Sequence, residues 1–195
     1  VIAIATTMLV IGIKASAQFN GVMVIIKLVI VLLVIGFGLP LIMGDNLDPF
    51  IPPNTGTLGE FGWTGVFRAT GVIFFAYIGF DAVSVAAQEA RNPQRDLPIG
   101  ILGSLLICTV LYILMSLTMT GLAPYTSLNV PDPVAFAVRN AGPQLAWLEF
   151  LVNVGAFVGL ASVVLVLLLG QSRVFYAMSR DGLIPPLYCK IHPTF

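Results

Sequence analysis

Residues 74 to 96 read FFAYIGFDAVSVAAQEARNPQRD, which puts a carboxylate, Asp81, two residues after Gly79 inside a long apolar run. A charged side chain at the centre of a bilayer costs at least about 3 kcal/mol, so it is rarely found there without a partner or a role. At about 1.5 Å per residue from Val66, Asp81 lies roughly 20 Å into the run, too deep for its short side chain to reach either surface. Helices end readily at Gly, and non-helical backbone at membrane depth persists only where protein or a water-filled cavity satisfies its polar groups. Two readings of Asp81 follow. In one it caps a second half-helix starting near Ala82, accepting bonds from free N–H groups at the positive end of the dipole. In the other the break from Phe75 to Asp81 is itself a binding site, with freed carbonyls facing a cation or ammonium and the acid nearby. The two are not exclusive.

A second charge, Lys27, sits in FNGVMVIIKLVIVLLVIGFG with apolar neighbours for a turn or more on both sides. It lies roughly 9 Å in from Gly21 at helical rise. Its long stem allows the ammonium to snorkel to the interface; turned into the protein interior, the same group would gain and lose a proton near neutral pH, because desolvation disfavours its charge. Depth alone leaves both readings open. In LEFLVNVGAFVGLASVVLVLLLGQSRVF, Gly155 and Gly159 form a small-xxx-small face for close helix packing. Ser162 follows within a turn and can bond back to its own helix or face a polar cavity. Glu149 and Asn153 read as interfacial, and Glu89, Arg91 and Arg95 as a solvated or gating cluster at a helix end. Asp96 reads as a helix cap with Pro98 in the first turn. His192 stands alone without ligand-spaced partners. No Gly-rich phosphate loop, metal-ligand spacing or Ser/His/Asp set is present, so neither an enzyme nor a cofactor or metal is expected.

The elements that must position these residues are membrane helices. Hydrophobic residues make up 58% of the 195 and charged residues 9%, against about 25% charged in an average soluble domain. Net charge is zero, which gives no reason to expect a nucleic-acid partner. The two cysteines, Cys108 in an apolar run and Cys189 in a polar tail, make no disulfide framework. Apolar runs near the roughly 20 residues that cross a bilayer fall at 1–13 (partial), 21–43, 66–89, 98–122 and 146–172. The chain begins in mid-run without an initiator Met, so residues 1–195 read as an interior fragment of one transmembrane domain. GDNLDPFIPPNTGTLGEFGWTG reads as an irregular polar loop, ARNPQRDLP as a short basic turn, and VAFAVRNA as a short helix lying at the surface. Lys14, Arg91, Arg95, Arg173, Arg180 and Lys190 flank one side, Arg68 and Arg139 the other. Cytoplasmic flanks are the ones enriched in Lys and Arg, which places the first group inside.

GVIFFAYIGFDAVSVAAQEARNPQRDLPIGI closely resembles the sixth membrane helix and following turn of the amino acid-polyamine-organocation (APC) superfamily, particularly its cationic amino acid transporter branch. GLASVVLVLLLGQSRVFYAMSRDGLIP resembles the eighth helix and its cytoplasmic continuation, and FNGVMVIIKLVIVLLVIG the fifth, with a lysine at the position of Lys27. The resemblance spans essentially the whole chain, making its segments helices four to eight of a carrier with twelve or more. It implies an all-α membrane protein, a multi-span bundle that is part of a five-plus-five inverted-repeat fold whose sixth helix, here 66–89, is broken near the midplane. The carbonyls of Phe75, Ala76 and Ile78 would then hold the substrate ammonium, and Asp81 would lie at the cavity. Lys27 would take the place of a sodium ion, close to Ser162. The implied function is secondary active transport of amino acids by alternating access, coupled to protons, in the cell membrane. The implied partners are amino acid substrate, protons, lipid and the carrier's remaining helices. Exchange without net proton flux, sodium coupling, and a sensor that binds an amino acid without moving it are the alternatives.

Overall fold

A computed structural model describes residues 2–11, 13–54, 56–77, 79 and 92–189, and among these every regular element is a helix. The helices are α1 (Ile2–Ile11), α2 (Ile13–Gly38), α3 (Gly62–Ile73), α4 (Pro93–Leu122), α5 (Pro133–Asn140) and α6 (Ala146–Arg180). Three described stretches are long and apolar enough to cross a bilayer: Ser16–Leu41, Pro93–Leu122 and Pro143–Arg180. This is a helical membrane protein.

Several boundaries differ from the hydropathy reading. Residues 14–20, expected as a loop, are helical and belong to α2. The stretch Lys14-Ala-Ser-Ala-Gln contains no Gly or Pro to break it, and polarity at a helix end changes what the helix touches without changing its backbone preference. α4 begins at Pro93, five residues before the apolar run. Proline suits the first helical position, where its missing N–H has no intrahelical partner in any case. Asp96 is therefore not the cap. It lies in the first turn, and its Oδ2 accepts the backbone N–H of Asn92 at 3.3 Å. The short helix α5 is present, with one face buried through Ala135, Ala137 and Val138.

The described residues form two compact units, one of residues 2–11, 13–30, 92–104 and 153–189, the other of 31–54, 56–77, 79 and 105–152. In the first, Ala5, Met23 and Leu165 form a buried cluster joined by Leu9, Val158, Ala161, Val164 and Leu168. Gly155 brings α6 close to α2, since a Cβ there would stand 2.9 Å from Ile30 Cδ1. α6 closes at Gly182, φ +78°, with Leu183 N–H bonded to Met178 C=O and Gly182 N–H to Ser179 C=O. Those paired bonds satisfy the last carbonyls of the helix, and the left-handed turn favours glycine.

In the second unit Leu122, Ala123 and Ala137 are the buried centre, packed by Leu41, Met119, Leu128, Phe136 and Ala141. Gly121 is the pivot of this packing. Its carbonyl accepts from Met43 N–H at 3.0 Å and from Asn46 Nδ2 at 2.9 Å. A Cβ at 121 would meet Ile42 Cγ1 and Cγ2 at 2.7 Å, and a β-branched side chain has little freedom to move away. We expect Gly121→Val to lower stability by about 1–3 kcal/mol through overpacking, read as a fall in Tm of the detergent-solubilised protein, with Ile42→Ala in the same chain restoring part of the loss.

Candidate functional site

α3 stops as an α-helix at Ile73, and the chain tightens into a 3-10 turn over Phe74–Tyr77. Phe74 N–H still reaches the carbonyls of Thr70 and Val72. The regular ladder ends within the run FFAY, before the glycine that announced a break. Gly79 then takes φ +126°, a backbone state that an L side chain makes costly. The helix expected over 66–89 is thus interrupted on its first half. Ile78 and Asp81 lie outside the described residues, as do Glu89, Arg91 and His192.

Where the α-ladder ends, α4 supplies side-chain hydroxyls to the turn. Tyr112 donates its hydroxyl to Ala76 C=O at 3.1 Å. One turn earlier on α4, Thr109 Oγ1 lies 3.1 Å from Tyr77 Oη. The Thr109 hydrogen goes to Leu105 C=O at 2.8 Å; a hydroxyl has one hydrogen to give, so Tyr77 is the donor in the first bond. The rings of Tyr77 and Tyr112 pack edge to face, centroids 5.3 Å apart and planes at 76°, a geometry aromatic quadrupoles favour. A cavity of about 600 Å³ adjoins this cluster, lined by Asn46, Glu60 and Phe61 of the preceding loop, by Ile73 and Tyr77, and by Thr109, Tyr112, Ser116 and Thr120 along one face of α4. Phe75, whose carbonyl belongs to the same turn, leaves its ring exposed and edge-on to Phe74.

The second group of candidates lies on α2 and α6 in the other unit. Ser16, Met23 and Ile30 are buried and Asn20 and Lys27 half-buried. At spacings of three and four these five residues share one face of α2. Lys27 therefore belongs to the packed stripe. Ser162, 2% exposed, donates its hydroxyl to Asn20 Oδ1 at 2.7 Å. Together with the Ile30–Gly155 approach, that bond fixes α2 and α6 side by side and antiparallel. Lys27 falls between the two anchor points. Ser162 thus has a definite partner, Asn20, which the apolar run starting at Gly21 left out of view. Gly159, by contrast, has nothing within 4 Å of a would-be Cβ, so Gly155 is the residue of the small-xxx-small pair that makes the described close contact.

Arg139 pairs with Asp132 at 2.9 Å and Glu149 at 3.3 Å, tying α5 to the start of α6. With the side chains of Arg139 and Asp132 about half exposed, such pairs are worth about 0–1 kcal/mol. Among the described residues, no group of three His, Cys, Asp or Glu side chains is arranged to hold a metal ion.

A family model for amino acid permeases matches residues 1–195. Among curated proteins, the chain is 46% identical to the methylthioribose transporter of Bacillus subtilis (strain 168), over 94% of the chain and 38% of that protein. It is 44% identical to the branched-chain amino acid permease BcaP of the same organism, over 96% of the chain and 38% of that protein. It is 42% identical to the chloroplastic cationic amino acid transporter 9 of Arabidopsis thaliana, over 99% of the chain and 32% of that protein. The chain thus spans less than two fifths of the length of each of these relatives, which are permeases and transporters, not enzymes.

The Asn20–Ser162 bond makes a prediction of its own. Asn20→Leu removes the acceptor from a buried hydroxyl and should cost about 1–3 kcal/mol. Thermal unfolding of Asn20→Leu, Ser162→Ala and the double variant should show the double costing clearly less than the sum of the singles. Strict additivity would mean the two side chains do not depend on each other.

Proposed function

This chain belongs to the amino acid permease family, and on that premise we propose that it forms part of a longer carrier that moves amino acids across the cell membrane, coupled to protons, by alternating access. The observation that carries the reading is the interrupted helix at Phe74–Gly79, because carbonyls released from an α-ladder at membrane depth are the natural partners of a substrate ammonium. On this reading the carbonyls of Phe75, Ala76 and Ile78 hold the ammonium, and Asp81 adds a negative charge beside it. Relatives bear the names of branched-chain and cationic amino acid carriers. Both substrate classes carry an α-ammonium, so a site built of backbone carbonyls serves either.

Lys27 is the second station. Lys27 is half-buried on the face of α2 that also carries Ser16, Met23 and Ile30, which supports a lysine turned toward the protein interior and not one that snorkels to the interface. Charged, it would satisfy carbonyls of a neighbouring helix of the full carrier, doing the work a bound sodium ion does elsewhere; neutral, it would let them go. Ser162 would contribute an acceptor at the same face, shared with Asn20. Protonation and substrate occupancy then favour the same conformational state, which is what coupling requires.

The test is uptake of radiolabelled amino acid into proteoliposomes bearing the full-length protein. Uptake should rise when the outside is made acidic relative to the inside and should not change when sodium is replaced by choline. Lys27→Met, which keeps length and apolar bulk, should lose the proton-driven component. Parental pH dependence in Lys27→Met, or a requirement for sodium, would overturn the coupling role.

A further inference from the structure

Tyr112 and Thr109 lie one turn apart on α4, and each engages one of two consecutive residues of the 3-10 turn. Tyr112 Oη holds the carbonyl of Ala76, Thr109 Oγ1 holds the hydroxyl of Tyr77, and the two tyrosine rings close edge to face between them. A 3-10 turn of four residues has poorer hydrogen-bond geometry than an α-helix, so an outside partner adds to what holds its carbonyls in place. Here the direction of one carbonyl is set from another helix. We propose that Tyr112, supported by Thr109, is a positioning residue for the substrate ammonium: its hydroxyl takes one lone pair of the Ala76 oxygen and aims the other at the site. This rests on the reading of the break as the ammonium site.

Three features separate this from ordinary aromatic packing. The hydroxyl reaches a backbone carbonyl of the break, a group that packing alone would leave to other partners. The Thr109 hydroxyl commits its own hydrogen to Leu105 and so presents an acceptor of fixed direction to Tyr77. Ser116 and Thr120 continue the hydroxyl face of α4 along the adjoining cavity, so α4 offers hydrogen-bonding groups along that face and not at a single point.

Tyr112→Phe tests the inference because it keeps the ring against Tyr77 and removes one hydrogen bond. In proteoliposomes bearing the full-length protein, uptake of each common L-amino acid, radiolabelled, identifies those that the parent carries. For these, Tyr112→Phe should raise KM about three- to tenfold, the worth of one hydrogen bond, with Vmax per transporter within about twofold of the parent. Its Tm without amino acid should stay close to the parent's, while the rise in Tm on adding amino acid should shrink. Thr109→Val, acting through Tyr77, should raise KM in the same direction by less. An unchanged or lowered KM in Tyr112→Phe overturns the inference and leaves the transport reading intact, and a fall in Vmax and Tm at constant KM does the same by assigning the pair to packing. A parent that carries none of the amino acids overturns both.

Discussion

A backbone carbonyl inside a membrane must have a donor, and the described part of this protein is organised around what happens where the helix stops providing one. Hydrocarbon offers no water to replace a lost ladder bond, and each unsatisfied group costs several kcal/mol. The chain nevertheless leaves the α-ladder at Ile73, passes through a 3-10 turn and takes a glycine-favouring backbone at Gly79. Where the α-ladder ends, a neighbouring helix adds a donor, the Tyr112 hydroxyl on Ala76 C=O.

The same constraint governs the side chains. Thr6, Thr7, Thr70, Thr118 and Thr120 return their hydroxyls to carbonyls of the preceding turn of their own helices. Ser162 and Asn20 pair between helices. Among the described residues, no buried side-chain nitrogen or oxygen lacks a partner. Apolar surface is abundant on these helices and does little to choose one packing over another in lipid, where side chains and tails are equally apolar. Specificity falls to small residues and polar pairs. Gly155 against Ile30 and Gly121 against Ile42 set the close approaches, and Asn20, Asn46 and Asn140 bond across to Ser162, Gly121 and Leu122.

The sequence shows the membrane class, the long helices and the interruption near Gly79, because composition and a glycine before an acid within an apolar run are local signals. It shows the short α5 as well, through VAFAVRNA. Helix bounds were less legible, since hydropathy measures what a residue touches. Lys14 to Asn20 therefore read as a loop while their backbone continued the helix, and α4 began at a proline outside its apolar run. Asn20 lies one residue outside the apolar run 21–43 and carries no local signal of its partner on α6. The Tyr112–Ala76 and Thr109–Tyr77 contacts join residues more than thirty positions apart; no periodicity in either segment announces a partner in the other.

If acceptors freed at Phe74–Gly79 are the substrate site, then a bound amino acid must be found on them. A structure of the full-length protein with a transported amino acid bound answers this most directly. The account predicts the α-ammonium within about 3.2 Å of at least one carbonyl among Phe75, Ala76 and Ile78, with the helix still interrupted there and the Tyr112 hydroxyl still on Ala76. An amino acid seated elsewhere, over an unbroken ladder from Phe74 to Ala87, would contradict it.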